Sequence, residues 1–528
     1  MKRVLLFIIM FYSIIATNAQ ERFFNLYPGW VTINIKYCEE SIVLSGLDTI
    51  DMGYSSTPIF NIINLHGDLI NAYRYYNDTV DGICIYSAQS YSWMEEQIVI
   101  SGVYMNYIKD YVLYPILMFV DNNNYVVDSI KNFKTYLEDR AARFMLQYQS
   151  NGKLYLAGDV RYAMDANVRT FFGIYDPIAD TFSYKDYERP NYCKMTPYQI
   201  LPTSDGGFLL ATEQDMTYMT PRKVYSCILK IDADGDEQWR YIIPGYTVVT
   251  PYGNIESANY RSRIFNSPDG NYYVVWTNPE AITPTYLTNN PEQTIRIAKL
   301  KDYGTYGELT EEKDLRAELD NFERAPYIIN DAYQDEDGTM YILMQTEGGY
   351  KSALAKIHAN GVGAWMRVYI CYPDDDASMS STKLYGISKT EDGGFMLTGA
   401  FNSTSSSLFP SGMIASLVFK IDSCGCFDTE GCNSHCADSY TEYFITMPQA
   451  SVYPNPARDK ITLGFEYKGT ETEFIYKVYN LNGQLLMEGK SEKVTETFDV
   501  EVDDLPSGYY MIQFWGGGKI FTGKFVKE

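Results

Sequence analysis

The chain has 528 residues, with 67 Asp and Glu against 43 Lys and Arg for a net charge of −24, and 46% of residues are hydrophobic and 15% aromatic. That charge argues against a nucleic-acid binder, because a strongly negative protein repels phosphate backbones. The apolar and aromatic content argues equally against a disordered acidic chain. Length alone suggests three or four domains, or one repeat array with a small companion. The 49 tyrosines suit half-buried strands, where a ring packs on one face and its hydroxyl reaches water.

Residues 1–19 read as a secretory signal peptide. Lys2 and Arg3 precede an apolar run from Val4 to Ile15, and small residues lead to a cut between Ala19 and Gln20. About twelve apolar residues are too few for a membrane span, which needs roughly 20. Removing this segment takes away two positive charges and no acid, which leaves −26. No later stretch is long and apolar enough for a transmembrane helix, so no membrane span is expected in the mature chain.

Residues 20–422 carry a repeat. Its clear copies are 203–212 (TSDGGFLLAT), 267–276 (SPDGNYYVVW), 335–344 (DEDGTMYILM) and 390–398 (TEDGGFMLT), with weaker ones at 150–157 (SNGKLYLA) and 96–102 (EQIVISG). Asp-Gly ahead of an apolar run is a strong hairpin signal, because Gly supplies the positive φ of the turn. A second half-motif follows at 228–239 (ILKIDADGDEQW) and 354–365 (LAKIHANGVGAW), with relatives at 62–70 and 418–425. Each unit therefore reads as two hairpins, or four short antiparallel strands. Gly152, Gly206, Gly270, Gly338 and Gly393 open the clear turns and recur at broadly similar intervals. Extending this period backwards reaches 41–46 (SIVLSG) and gives about seven units. The expectation is an all-β chain with a β-propeller of about seven four-stranded blades. A stack of β-sandwich domains fits the even spacing less well. Residues 309–319 (LTEEKDLRAEL) are expected to form one short surface helix.

Residues 423–446 read as a Cys-rich linker. Four of the nine cysteines, Cys424, Cys426, Cys432 and Cys436, cluster there around His435. Export favours disulfides, which would staple a segment with no core of its own. The same set has the donor chemistry of a zinc site, although its spacing is not the paired Cys-x₂-Cys form. Nine is odd, so at least one thiol has no partner within the chain.

Residues 447–528 contain about seven short strands, which implies a small Ig-like β-sandwich. Along the run from Tyr509 to Trp515, Tyr510, Ile512 and Phe514 share one face. Four motifs stand out: Tyr453-Pro454-Asn455-Pro456, a turn containing Asn480, Gly483 and Gln484, the strand entry Leu505-Pro506-Ser-Gly508-Tyr-Tyr510, and the terminal Lys524-Phe525-Val526-Lys527. In this order, and at the end of the chain, they resemble the type A C-terminal sorting domain of proteins exported by the type IX secretion system of the Bacteroidetes. The resemblance implies that this domain addresses the chain across the outer membrane. It also implies that the secretion machinery and a surface sortase are its partners, and that the repeats are cargo, anchored or released.

Chemistry is harder to find. No Gly-x-Ser-x-Gly, His-Glu-x-x-His or phosphate-loop pattern occurs. His66 and His358 occupy the turn position that Asp232 and Asp422 hold in sibling repeats, and His435 lies in the linker, so a Ser-His-Asp site is not expected. The 203–208 and 390–395 turns loosely resemble the Asp-box of sialidase-like propellers, which is a structural turn. Asp232, Asp234, Asp236 and Glu237 form an acidic turn that departs from the EF-hand pattern and reads as solvated, as do Asp374–Asp376. No catalytic residue, cofactor or metal site is assigned. The expected function is a secreted or cell-surface propeller that binds protein or glycan through its loops, such as Thr277–Pro291. The alternatives are a glycan hydrolase or lyase using channel carboxylates, or a purely structural surface component.

Overall fold

The computed structural model describes residues 24–528 apart from connecting segments, of which the longest are 280–292, 404–413 and 428–439. Ala19, Gln20, His66, Asp374–Asp376, Cys432, His435, Cys436, Gly483, Gln484 and most of Thr277–Pro291 lie outside the described residues.

Among the described residues, strands form seven antiparallel units, each built on four strands, with Ile83–Ile85 pairing as an extra strand on Gln97–Asn106 of the second. Blade 1 runs from Trp30–Cys38 to Leu69–Arg74, blade 2 from Ser90–Met94 to Val127–Asn132, blade 3 from Ala141–Ser150 to Thr181–Tyr187, and blade 4 from Lys194–Pro202 to Glu237–Ile242. Blade 5 runs from Tyr260–Asn266 to Gly307–Asp314 and blade 6 from Pro326–Gln334 to Gly363–Tyr372. Blade 7 takes three strands, Ser380–Lys389, Phe395–Ser403 and Ile414–Ile421, from its own stretch of chain. Its fourth is Phe24–Pro28, which pairs antiparallel with Ile414–Ile421 through Phe24↔Phe419 to Pro28↔Ala415. The start of the repeat region thus completes its last blade. The first strands of successive blades lie against one another from blade 2 to blade 7, and that of blade 1 lies against blade 7. This is a propeller arrangement in which the first strand completes the last blade.

The repeat glycines do what the period implied. In blade 4, Thr203 N donates to Gly207 O and Gly206 N to Thr203 O, with Gly206 at φ 86°. This is a three-residue hairpin loop with a left-handed third residue. A Cβ on the following Gly207 would lie 2.2 Å from Ile231 O, so the close approach also requires glycine there. The turn carboxylate is then held from two strands away. Lys230 is fully buried, and its Nζ lies 2.8 Å from Asp205 Oδ1, 2.7 Å from Thr203 Oγ1 and 3.5 Å from Asp302 Oδ2. Lys420 repeats the arrangement on Asp392 at 2.5 Å, and Lys299 on Asp269. A lysine fits because its aliphatic stem crosses the apolar sheet face while the ammonium emerges at the turn.

Tyrosines tie blades together. Tyr187 OH in blade 3 donates to Gly235 O in a blade 4 turn, and Tyr369 OH in blade 6 to Gly425 O in the turn after blade 7, both at 2.8 Å. Burial pushes the Tyr187 phenol far up, which keeps it a donor. Between blades 6 and 7 the core is aromatic, with Tyr341, Trp365, Phe395 and Phe419 buried.

One sequence expectation changes. Residues 309–319 do not form a helix: Gly307–Asp314 is the outer strand of blade 5, paired with Gln293–Asp302, and only a single turn follows, with Glu318 N and Leu319 N donating to Leu315 O. The ladder and the burial of Leu315 and Leu319 override helix propensity. Two parts of the Cys-rich segment lie among the described residues. Asp422–Cys426 is a hairpin turn, and Tyr440–Thr446 adds to blade 6 as a fifth strand, parallel to Gly363–Tyr372. Cys424 and Cys426 are both disulfide-bonded.

After this strand comes a sandwich. One sheet contains Ser451–Tyr453, Lys460–Gly464 and Thr497–Glu501, and the other Leu485–Ser491, Phe474–Asn480, Gly508–Gly516 and Lys519–Lys527. Phe465, Phe474, Phe498, Phe514 and Phe521 fill the space between them. Tyr510, Ile512 and Phe514 face this core, while Tyr509 is 64% exposed.

The Lys–Asp clamp is testable. Lys230→Met keeps the stem and removes the ammonium, and should cost about 1–3 kcal/mol by chemical denaturation. Burial raises the Asp205 carboxyl, but bonds from Lys230, Thr203 and the Gly207 amide more than reverse this and hold it at about 2. Its contribution is therefore present above the ordinary carboxylate range and lost as pH falls towards 2. Lys230→Met should flatten the stability profile in that window, and an unchanged profile would refute the clamp.

Candidate functional site

The first strand of each blade lines the central channel, and in six of them the register shifts partway along: Thr32/Asn34, Phe144/Leu146, Pro197/Gln199, Tyr260/Arg263, Ile329/Asp331 and Leu384/Gly386. A bulge leaves a residue unpaired and re-aims its neighbours. Here the side chains at the bulges reach the adjoining blade. Gln199 exchanges two bonds with Ile264, accepting from its N at 2.7 Å and donating to its O at 2.7 Å. Arg263 Nη2 donates to Asn330 O at 2.6 Å, Asn330 Nδ2 to Leu384 O at 2.7 Å, and Ile387 N to Asp331 Oδ2 at 3.0 Å. These bonds lace blades 4, 5, 6 and 7 in turn.

The same bulges gather charge. In blade 3, Arg143 binds Asp159 through both carboxylate oxygens, at 2.6 and 2.5 Å, and this bond raises the guanidinium further. In blade 5, Arg261 sits at φ 47°, a left-handed conformation uncommon outside glycine. Its guanidinium lies 4.5 Å from the centre of the Tyr198 ring in blade 4 and 3.4 Å from Asn330 Oδ1 in blade 6. Arg263 is buried, and that burial lowers it to about 10 while Asp331 opposes the shift. Burial raises the Asp331 carboxyl, opposed by Arg263 and by the Ile387 and Ala332 amides. Burial likewise raises Tyr198 and, in blade 7, Tyr385; both phenols feel Arg261. Five blades thus contribute to one polar cluster.

None of these residues was singled out from the sequence. Their signal is the run Tyr260-Arg-Ser-Arg263 ahead of an Asp-Gly turn, where two arginines stand in a strand that ought to be buried. The residues that were singled out lie elsewhere. His358 is a turn residue, with its N donating to Val362 O and its O accepting from Gly361 N. The acidic turn disperses: Asp232 Oδ1 accepts from Asp234 N and Asp236 N, Asp236 pairs with Lys185 at 2.6 Å, and Glu237 pairs with Arg240. Among the described residues no group of three or more His, Cys, Asp or Glu is placed to hold a metal, and no helix is long and apolar enough to cross a membrane.

The sandwich brings its motifs together. Asn455 Nδ2 donates to Lys524 O at 3.3 Å, and Val526 N donates to Asn455 Oδ1 at 2.9 Å. Ala457 N donates to Val526 O at 2.7 Å, and Glu528 N to Ala457 O at 2.9 Å. Tyr510, opposite Asn480 in the ladder, donates to Pro506 O at 2.6 Å and stacks on Phe525. The Pro-Asn-Pro segment, the Leu505–Tyr510 entry and the final strand therefore meet although the first and last of them stand at opposite ends of the domain's sequence. Residues 451–528 match the family described as "Secretion system C-terminal sorting domain".

Residues 451–528 are a type IX sorting domain. It marks the chain for export across the outer membrane to the cell surface or the extracellular space. No curated protein matches the sequence. Similar solved structures include the β-propeller domain of the Trilobed protease from Pyrococcus furiosus (12% identity, 74% of this chain and 94% of that one, TM-score 0.35). Others are the Penicillium chrysogenum alpha-L-arabinanase (10%, 65% and 99%, 0.36) and the Pyrococcus horikoshii acylaminoacyl peptidase (12%, 84% and 59%, 0.37).

Asn455 is the residue that joins the sorting motifs. Asn455→Ala should expose the Val526 amide to faster hydrogen exchange and cost the sandwich about 0.5–1.5 kcal/mol. Exchange at Val526 equal to that of the parent protein would show that the contact holds nothing.

Proposed function

We propose that this exported propeller is a non-catalytic binding module, receiving a glycan or protein ligand at the channel and its surrounding loops. The observation that carries this reading is the state of the channel carboxylates. Asp159 has both oxygens on Arg143, and Asp331 accepts the backbone amides of Ile387 and Ala332. Hydrolysis of a glycosidic bond needs two carboxyl groups free to exchange a proton and to attack or activate water. What remains of the cluster is a guanidinium, phenols and an amide, which are groups that bind, with Glu213 near Tyr198 as one further carboxylate rather than a pair.

A glycan hydrolase or lyase is the second reading, favoured by the raised Asp331 carboxyl. Screening the mature protein on a glycan array beside a chromogenic glycoside panel separates the two. The expected result is binding without turnover, and turnover lost in Asp331→Asn would establish the enzyme.

The remaining assignments follow from the sorting domain and the exported setting. Cleavage falls between Ala19 and Gln20, and Cys424, Cys426, Cys432 and Cys436 form local disulfides. A surface sortase is the partner of the sorting domain. Deleting residues 447–528 should hold the protein in the periplasm, as read by fractionation, and undiminished surface display would remove the export role.

A further inference from the structure

We propose that Arg261 makes the channel a receptor for a carboxylated sugar unit, a uronate within an acidic glycan. This rests on the binding-module reading and names the ligand class of the same site. Among the described residues, Arg261 makes no ion pair; its contacts are Tyr198, through the ring and a side-chain hydrogen bond, and Asn330 Oδ1. The other two channel arginines have carboxylates, Arg143 with Asp159 and Arg263 with Asp331. Arg261 therefore supplies an uncompensated positive charge at the centre of a protein whose net charge is −24, and it stands close enough to Arg263 to disfavour that guanidinium's charge. An anion placed there relieves the repulsion and completes the charge balance.

The backbone at Arg261 points the same way. Left-handed backbone at a non-glycine residue persists only where the surroundings impose it, and such strain gathers at ligand sites. Here it holds the guanidinium over Tyr198, and with five N–H donors the planar fork has more than its bonds to Tyr198 and Asn330 use. A planar fork matches a carboxylate through two parallel bonds. The groups around it suit hydroxyls rather than a second charge. Tyr198 and Tyr385 stay protonated and donate, Asn330 Oδ1 accepts, and Glu213, which also acts on Tyr198, makes no ion pair with Arg261. A carboxylate ringed by hydroxyls is a uronic acid, whereas the free carboxylate of a peptide terminus would leave these hydrogen-bonding groups unmatched.

The test is calorimetric titration of the mature, full-length protein with oligogalacturonate, oligoglucuronate and oligomannuronate, each beside its methyl ester. A peptide acid beside its amide forms a further arm. We expect at least one uronate to bind about tenfold or more tightly than its ester. Arg261→Gln should abolish that preference and Arg261→Lys weaken it, since lysine keeps the charge and loses the fork. Arg261→Gly separates ligand from scaffold: glycine accepts φ 47° without strain, so its unfolding midpoint should hold or rise while the preference disappears. Equal binding of acid and ester, no binding of any uronate, or preference retained in Arg261→Gln overturns the proposal. So does preference for the peptide acid alone. Release of new reducing ends by the parent protein would instead sink the binding-module reading, and leaves the assignment of Arg261 to the acid-over-ester comparison.

Discussion

The fold depends on one strand pairing. Phe24–Pro28 and Ile414–Ile421 stand at opposite ends of the repeat region, yet the two are neighbours in blade 7. Without that pairing, blade 7 has three strands and an open edge, and blade 1 meets it only through the packing of Trp30–Cys38. With it, the first strands are held side by side around a channel. Only in that arrangement do the bulge side chains find their partners: Gln199 meets Ile264, Arg263 meets Asn330, and Asp331 meets Ile387, each across a blade boundary. The polar channel is thus a consequence of closure, and its bonds in turn hold the ring to one radius.

The blades divide their work along their length. The Asp-Gly ends are fastened within each blade, by Lys230 on Asp205 or Lys420 on Asp392. Midway along the channel the fastening runs between blades and uses backbone groups as partners. Arg261 departs from this pattern. It has the strained backbone and the position of a bulge residue, and its guanidinium reaches the side chains of Tyr198 and Asn330 rather than backbone groups of the adjoining blades. Of the three channel arginines, Arg143 and Arg263 have a carboxylate opposing their charge, and Arg261 makes no ion pair among the described residues.

Much of the architecture was legible because its signals are local. A glycine required at φ 86° in a three-residue loop recurs wherever the loop recurs, so blade number followed from spacing even though loop lengths vary. The sorting motifs were legible for the same reason, as short strings at the chain end. The Lys–Asp clamp was visible as letters, Lys230 and Lys420 before the second turn, but its meaning was not, because the partners come together only when three strands stack in register. The helix expected at 309–319 failed for the complementary reason. Glu, Lys, Leu and Ala favour a helix in isolation, while pairing with Gln293–Asp302 and burial of Leu315 decide otherwise.

The sequence by itself determined that the chain is exported, that its body is a repeat of four-stranded units, and that the stretch 451–528 is a sorting sandwich. These properties reside in turns, periods and terminal motifs, each specified within a few consecutive residues. Only the tertiary structure decided which residues share the channel. Arg143, Tyr198, Arg261, Asp331 and Tyr385 belong to five different blades, and the side chain that each presents to the centre depends on where its bulge shifts the register. A one-residue shift turns a strand's side chains to the opposite face, so their convergence is a property of the closed ring.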